Sequence, residues 1–464
     1  MISPNDRELT ELVDLGSAIV AMALERGGRD LVAECVVRSG AELSAKVRKG
    51  EPELVEEAGT RAAGLRVIRG KRVATTSTSD LTDAGIDRFV ADAIELASLS
   101  QDDLFAGPAD PNLLCNPSAL PNLDLWDPAG GSVDAARALS IATEAEAAAL
   151  AFDPRIDNSE GATFGRTAGG VALVLSSGFR ASYAGSYQSL SVVPVATDEG
   201  GKNRRGYHWT ARRHLADLDP AAEVGREAAR RTLRKLGART VPTCEVPVVF
   251  DPDAARSILG LLAGCVMGSA IWRKSSYLVD REGTRVASDL VTVVDDPLIP
   301  RGPGSRTFDG EGLASRLNVI VERGILRAYL CDSYSARKLG RESTASASRG
   351  GGAGVGAGTS NFVLKPGADS NRSIIQGTPR GLYVTEMMGF GFNAVTGDFS
   401  RGAAGFWIEG GELTYPVSEV TISLNADELW QRIDAVGSDL DMRTATASPT
   451  IRVAKMTVAG GTAG

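Results

Sequence analysis

Histidine is what this sequence has least of: His208 and His214 are the two in 464 residues. A self-contained zinc hydrolase built on imidazole would need both, and their spacing does not fit the H-E-x-x-H helix pattern. Cysteine is nearly as scarce. Cys35, Cys115, Cys244, Cys265 and Cys331 are odd in number, widely spaced and without a C-x-x-C pair. That argues against a disulfide framework and against a cysteine-only zinc site. The longest apolar run, residues 258–270, falls short of the ~20 residues that cross a bilayer. Residues 1–7 are polar and lack the basic-then-apolar order of a signal peptide. A cytoplasmic protein without membrane attachment is the expectation. A basic surplus is also missing: 50 Lys and Arg stand against 58 Asp and Glu, a net charge of −8. A dedicated nucleic-acid binder would show the opposite balance.

What is present is ordinary for a globular chain, with 43% apolar and 23% charged residues. At ~150 residues per domain the length allows two or three domains. Aromatic residues are few at 5%, whereas the 53 glycines point to tight turns and close backbone approaches in a sheet-rich fold.

Residues 6–27 read as an amphipathic helix, with Leu9, Leu12, Ile19, Val20 and Ala23 near a 3.6-residue period. Short half-polar runs at 31–38, 41–48, 64–69 and 72–77 read as antiparallel strands with one wet face. Helices are expected over 80–98, 132–151 and from Asp219-Pro220 to Gly237, with a strand meander between the last two. Residues 104–131 read as an irregular connection. The second half opens with a strand at 246–250 and a helix over 252–270. Short strands and turns follow, then a helix over 427–436 and a closing strand at 450–458. The fold class is therefore α+β. An N-terminal domain, residues 1–240, holds antiparallel sheet with helices, and a β-rich C-terminal domain spans 241–464.

Several segments could carry chemistry. Gly260, Gly264 and Gly268 fall at i, i+4 and i+8 of the predicted helix. Each costs ~1 kcal/mol against alanine, so the reading is a small-residue seam packed by another backbone. Arg273-Lys274-Ser275-Ser276-Tyr277, with Asp280 and Asp289 soon after, could line a cleft for a carboxylate or form a solvated turn. Residues 343–358 are almost entirely Ser, Thr, Ala and Gly and read as a mobile loop. They contain no G-K-[ST], which argues against a phosphate cradle. Thr396-Gly397-Asp398 opens a polar glycine-rich turn that could bring backbone groups close to a ligand. Residues 202–239 hold eleven Lys or Arg against four acids, and read as a solvated face rather than a nucleic-acid groove. No G-x-S-x-G marks a serine hydrolase.

RKSSYLVDREG at 273–283, DSYSARKLG at 332–340, the motif TEMMGFGFNAVTGDFSRGAAGFWIEGGELTYPVSEVTI at 385–422 and the closing MTVAGG resemble the TldD/PmbA family. Within it they resemble the PmbA branch, also called TldE, and GLRVIRGKRVATTSTSDL at 64–81 fits the family's first domain. The resemblance implies a cytoplasmic zinc peptidase of two chains, acting on unfolded or leader-bearing peptides. A TldD-like subunit carries an H-E-x-x-x-H helix and a later cysteine that hold zinc; the TldE-like subunit lacks them. Here the stretch at the metal-helix position, residues 262–268, reads LAGCVMG, and the segment expected to carry the cysteine, 444–448, reads TATAS. One cysteine cannot replace the three protein ligands of a catalytic zinc.

The expectation is a metallopeptidase component, a heterodimer subunit with no catalytic residue and no metal of its own. Zinc would sit on the TldD-like partner. Arg273, Ser275, Asp280, Asn361, Thr396 and Asp398 are the expected peptide-contacting residues, because they lie in or near the matched motifs. Two rivals stand beside it. One is a stand-alone hydrolase drawing on Asp280, Asp289, Asp295 and Asp296, the other a regulatory protein-binding factor.

Overall fold

A computed structural model describes residues 6–350 and 353–461. Helix α1 (Asp6–Gly27) precedes three antiparallel strands, β1 (Leu31–Arg48), β2 (Glu51–Arg69) and β3 (Arg72–Thr78), and helix α2 (Asp83–Leu99). An irregular stretch holding the short α3 (Pro128–Gly131) leads to α4 (Ala135–Leu150). Then come β4 (Ile156–Leu175), β5 (Arg180–Thr197), β6 (Asn203–Arg205), β7 (His208–Arg212) and α5 (Ala221–Leu233). The strands form one antiparallel sheet in the order β3-β2-β1-β4-β5-β6, with β7 also on β5.

Strand β1 shows how the sequence pattern builds this half. Its odd-numbered residues face one side, as a two-residue period requires. Leu31, Ala33, Cys35 and Val37 pack with α1 and α2. Leu43, Ala45 and Val47 pack with α4 and α5. The even-numbered face was expected to be wet. Instead Val36 joins Phe179 and Phe308 in a cluster that reaches the second half of the chain. Glu34 is also covered, at 2% exposed, as is Arg66 opposite it on β2 at 6%, whereas Glu42 and Arg48 farther along the same face are exposed. The two predicted strands at 31–38 and 41–48 are one. Its partner β2 begins at Glu51, where no alternation marks a strand, because residues 51–61 are exposed on both faces.

The second half opens with β8 (Cys244–Phe250) and α6 (Pro252–Cys265), followed by α7 (Gly268–Trp272). The helix predicted over 252–270 is thus two. After Cys265 the chain leaves the helix so that Gly268 N donates to Leu330 O at 2.7 Å and Leu330 N to Val266 O at 2.9 Å. The seam expected along the three glycines is not there. A Cβ on Gly268 would strike Cys331 and Ser335, but Gly260 and Gly264 have open space beside them.

A small sheet contains β9 (Val293–Asp295), β10 (Asn318–Glu322) and β11 (Ile325–Leu326). Helix α8 (Ser333–Leu339) precedes the hairpin of β12 (Ala347–Arg349) and β13 (Val355–Ala357), then β14 (Phe362–Leu364) and α9 (Asn371–Gln376). Strands β15 (Arg380–Met388), β16 (Asp398–Glu409) and β17 (Glu412–Asn425) lead into α10 (Ala426–Gln431). The chain ends with β18 (Ile433–Val436), β19 (Thr446–Ala447) and β20 (Ile451–Ala459). The predicted helix over 427–436 therefore stops at Gln431, because Ile433–Val436 pairs with β20. The order β17-β16-β15-β8-β20, with β20 returning to β17, closes a barrel-like sheet. Its core holds Phe250, Ile258, Leu382, Trp407, Ile422 and Val453. The α+β reading holds. Among the described residues no helix is long and apolar enough to cross a membrane.

The expected mobile loop at 343–358 differs from its described part, which forms the β12–β13 hairpin. Small side chains let it sit inside the molecule, where Ser346 and Ala347 are fully buried. Arg349, the bulky exception in the segment, ties it down.

Candidate functional site

The two halves meet along a cleft of about 620 Å³. One wall comes from the first sheet and its helices: Glu160 on β4, Arg205 on β6, Tyr207, and Lys235 just past α5. The other is the first turns of α6 and the end of β15, Thr385 to Met388. Asp251 starts α6 as its N-cap, accepting from Ala254 N at 2.8 Å, and Pro252 takes the first helical position. Burial, reinforced by the neighbouring Asp253, pushes the Asp251 carboxyl up to about 7.

The charges along the cleft are mostly matched. Arg205 pairs with Glu160 at 3.3 Å, and Lys235 pairs with Glu386 across the two halves. Asp253 receives Arg256 at 3.1 Å, Arg443 at 3.5 Å and Arg231 at 3.7 Å. Burial, with Arg231 and Arg443 nearby, depresses His208 to about 4, so its ring is neutral at pH 7. Sequence reasoning passed over these residues. The basic span 202–239 was the available signal, but only the fold shows that Arg231 and Lys235 answer acids in the other half and that Arg205 answers Glu160 on β4.

A second cleft, of about 550 Å³, lies between the 101–106 segment and α7, α8 and β13. Arg273 is on its wall, 4.7 Å over the Trp272 ring. Tyr334 donates to Asp103 at 2.7 Å, and burial together with that carboxylate raises the phenol to about 12.

The other residues expected at the site lie elsewhere. Ser275 donates to Ala270 O at 3.2 Å. Asp280 is exposed, with a left-handed φ of 59°. Asn361 is buried, accepts from Gly304 N at 2.8 Å and donates to Ser305 Oγ at 2.8 Å, a structural tie. Thr396 and Asp398 do meet: the hydroxyl donates to the carboxylate at 2.6 Å in an exposed turn that Asn425 closes. The 273–283 motif touches that turn where Tyr277 N donates to Ala394 O at 2.8 Å. Of the rival acids, Asp289 pairs with Arg285, buried Asp295 accepts from Ser360 N at 2.7 Å, and Asp296 accepts from Leu298 N at 2.9 Å.

Among the described residues no three His, Cys, Asp or Glu side chains gather as a metal-holding group. His214 Nε2 lies 3.1 Å from Asp124 O, and His208 is on β7. Within 262–268 the one donor is Cys265, buried and with its thiol pushed up to about 11. These residues do not fit a zinc ion.

Three family models cover most of the chain. PmbA/TldA metallopeptidase domain 1 matches residues 33–97, the central domain 128–236 and the C-terminal domain 243–460. Metalloprotease PmbA of Escherichia coli O157:H7 is 38% identical over 95% of this chain and 95% of its own length. A PmbA homologue from Haemophilus influenzae is 34% identical over 99% of this chain and 98% of its own length. The crystal structure of TldE from Thermococcus kodakarensis has the same fold, with a TM-score of 0.86 at 21% identity, covering 96% of this chain and 100% of that one.

Proposed function

The chain belongs to the PmbA/TldD metallopeptidase family, and from that premise we propose that it is the zinc-free subunit of a two-chain cytoplasmic peptidase. Its TldD-like partner would supply the metal-activated water, and this chain would enclose and hold an unfolded or leader-bearing peptide. The observation that carries the reading is the state of residues 262–268. Cys265 is their one donor, it is buried, and the helix ends on it. A catalytic zinc needs three protein ligands and an open position. The cleft on this chain supports a holding role, since its paired charges leave no evident nucleophile and base aligned with each other.

The test is reconstitution. The purified full chain, alone and with a TldD-like H-E-x-x-x-H chain, is assayed on an unfolded peptide and analysed for metal. Hydrolysis is expected only in the mixture, with zinc tracking the partner. About one zinc per chain in the isolated protein, or robust cleavage without the partner, overturns the proposal.

A further inference from the structure

Arg401 is a charge that this region leaves without a carboxylate partner among the described residues. It stands near the start of β16, and its Nη1 donates to Ser257 Oγ on α6 at 3.0 Å. Its Nε is buried without an acceptor. Arg205, Lys235 and Arg256 in the adjoining cleft each face a carboxylate, but among the described residues none pairs with Arg401. Asp253, one helical turn before Ser257, already receives three arginines. A guanidinium keeps its charge at any working pH, and holding one partly buried without a counter-ion is unfavourable. Burial is the influence acting on it, lowering its proton affinity, with no acid nearby to oppose that.

The surroundings can receive a chain. Ser257, Gly260 and Gly264 follow one another along one face of α6 at i, i+3 and i+7. A Cβ at either glycine would meet nothing within 4 Å, so a ligand's backbone can lie directly against the helix there. Met388, whose side chain borders Gly402 beside Arg401, and the fully exposed Phe390 add apolar surface to the same rim.

We propose that Arg401 is a carboxylate-binding residue, which holds a peptide's C-terminal or side-chain carboxylate while the peptide's backbone lies along the open face of α6. This rests on the peptide-holding role proposed above and names which chemistry that role selects. A planar guanidinium matches a carboxylate with two parallel hydrogen bonds, which a lysine ammonium cannot reproduce.

Two fluorescent nine-residue peptide pairs of Ala, Ser and Val test it by anisotropy with the full chain. One pair has an amidated C-terminus and differs as Asp against Asn at the centre. The other carries no acid and differs as free against amidated C-terminus. The pair whose carboxylate Arg401 takes is expected to show about tenfold tighter binding of the acid form, weakening with salt. Arg401→Gln is expected to abolish that difference and Arg401→Lys to restore part of it, with unchanged melting of the lysine variant as the check on folding. Binding without acid preference in either pair, or a preference that survives Arg401→Gln, overturns the carboxylate assignment alone. Failure of every peptide to bind overturns the peptide-holding role and this assignment with it.

Discussion

Arg349 donates to the carboxylate of Glu34 from 315 residues away in sequence, and both side chains are buried. The contact joins the β12–β13 hairpin to the first sheet. Arg66 completes it, at 3.0 Å from the same carboxylate. Further donations from Arg349, to Gly310 O at 2.5 Å and Ala353 O at 3.0 Å, fix the hairpin from both sides.

Removing one member strands a buried charge, which costs roughly 3–5 kcal/mol. Arg349→Ala is expected to lower unfolding free energy by about that much in urea. Combined with Glu34→Gln it should cost less than the two single losses added. A loss for Arg349→Ala below about 1 kcal/mol would show that the network is not what couples the halves. Burial pushes the Glu34 carboxyl up, but Arg349 and Arg66 outweigh it and hold it below its ordinary value. Its contribution is therefore present above the unfolded carboxylate value of about 4.3 and disappears as pH falls through the lower folded value.

Glu311 behaves in the opposite sense. Burial first, then neighbouring Asp309, pushes its carboxyl up to about 7, while Ser333 N donates to it at 2.8 Å. A raised folded value gives stability that is full below the unfolded value and is lost as pH rises through about 7. Glu311→Gln keeps the acceptor for Ser333 and removes the titration. The variant's melting temperature is expected to decline less than the parent's between pH 5 and 7.5; matching slopes would contradict the raised value.

Gly260 can be filled without strain. Gly260→Ala is expected to raise stability by up to about 1 kcal/mol, because alanine is the better helix former and its Cβ meets open space. Gly260→Trp should melt near the parent temperature but reduce peptide hydrolysis by the reconstituted pair on the order of tenfold. Unchanged hydrolysis would mean that no peptide runs along this face.

Thiol labelling reads the packing directly. Cys35, Cys265 and Cys331 are buried, and burial lifts the thiols of Cys35 and Cys331 to about 12 and that of Cys265 to about 11. Only partly exposed Cys115 and Cys244 are expected to react with a disulfide reagent in the native protein at pH 8. All five should react in denaturant. Rapid native labelling of Cys265 would place that residue on an open face instead.

Local signals carried much of the architecture. The apolar period and closing glycines place α1 at Asp6–Gly27, and Asp-Pro marks the start of α6. These depend on neighbours a few residues apart. Residues 51–61 escaped because a strand exposed on both faces leaves no alternation to read. The end of α6 escaped because its cause, Leu330, lies far along the chain. Of the expected contact residues, Arg273, left open between cleft and solvated turn, lies on the wall of the second cleft, whereas Asn361 is a buried tie among its neighbours.

By itself the amino-acid sequence determined which side chains the chain can offer: two imidazoles, five scattered thiols and, over residues 262–268, LAGCVMG with neither His nor Glu. Donor atoms are a matter of composition, and no folding can add them. Only the tertiary structure decided which charges stay unmatched. Glu34 acquires Arg349, Lys235 acquires Glu386, and Arg401 acquires a hydroxyl and, among the described residues, no carboxylate. An ion pair depends on distance in space, and each of these distances is set by the packing of one half of the chain on the other or of α6 on the barrel.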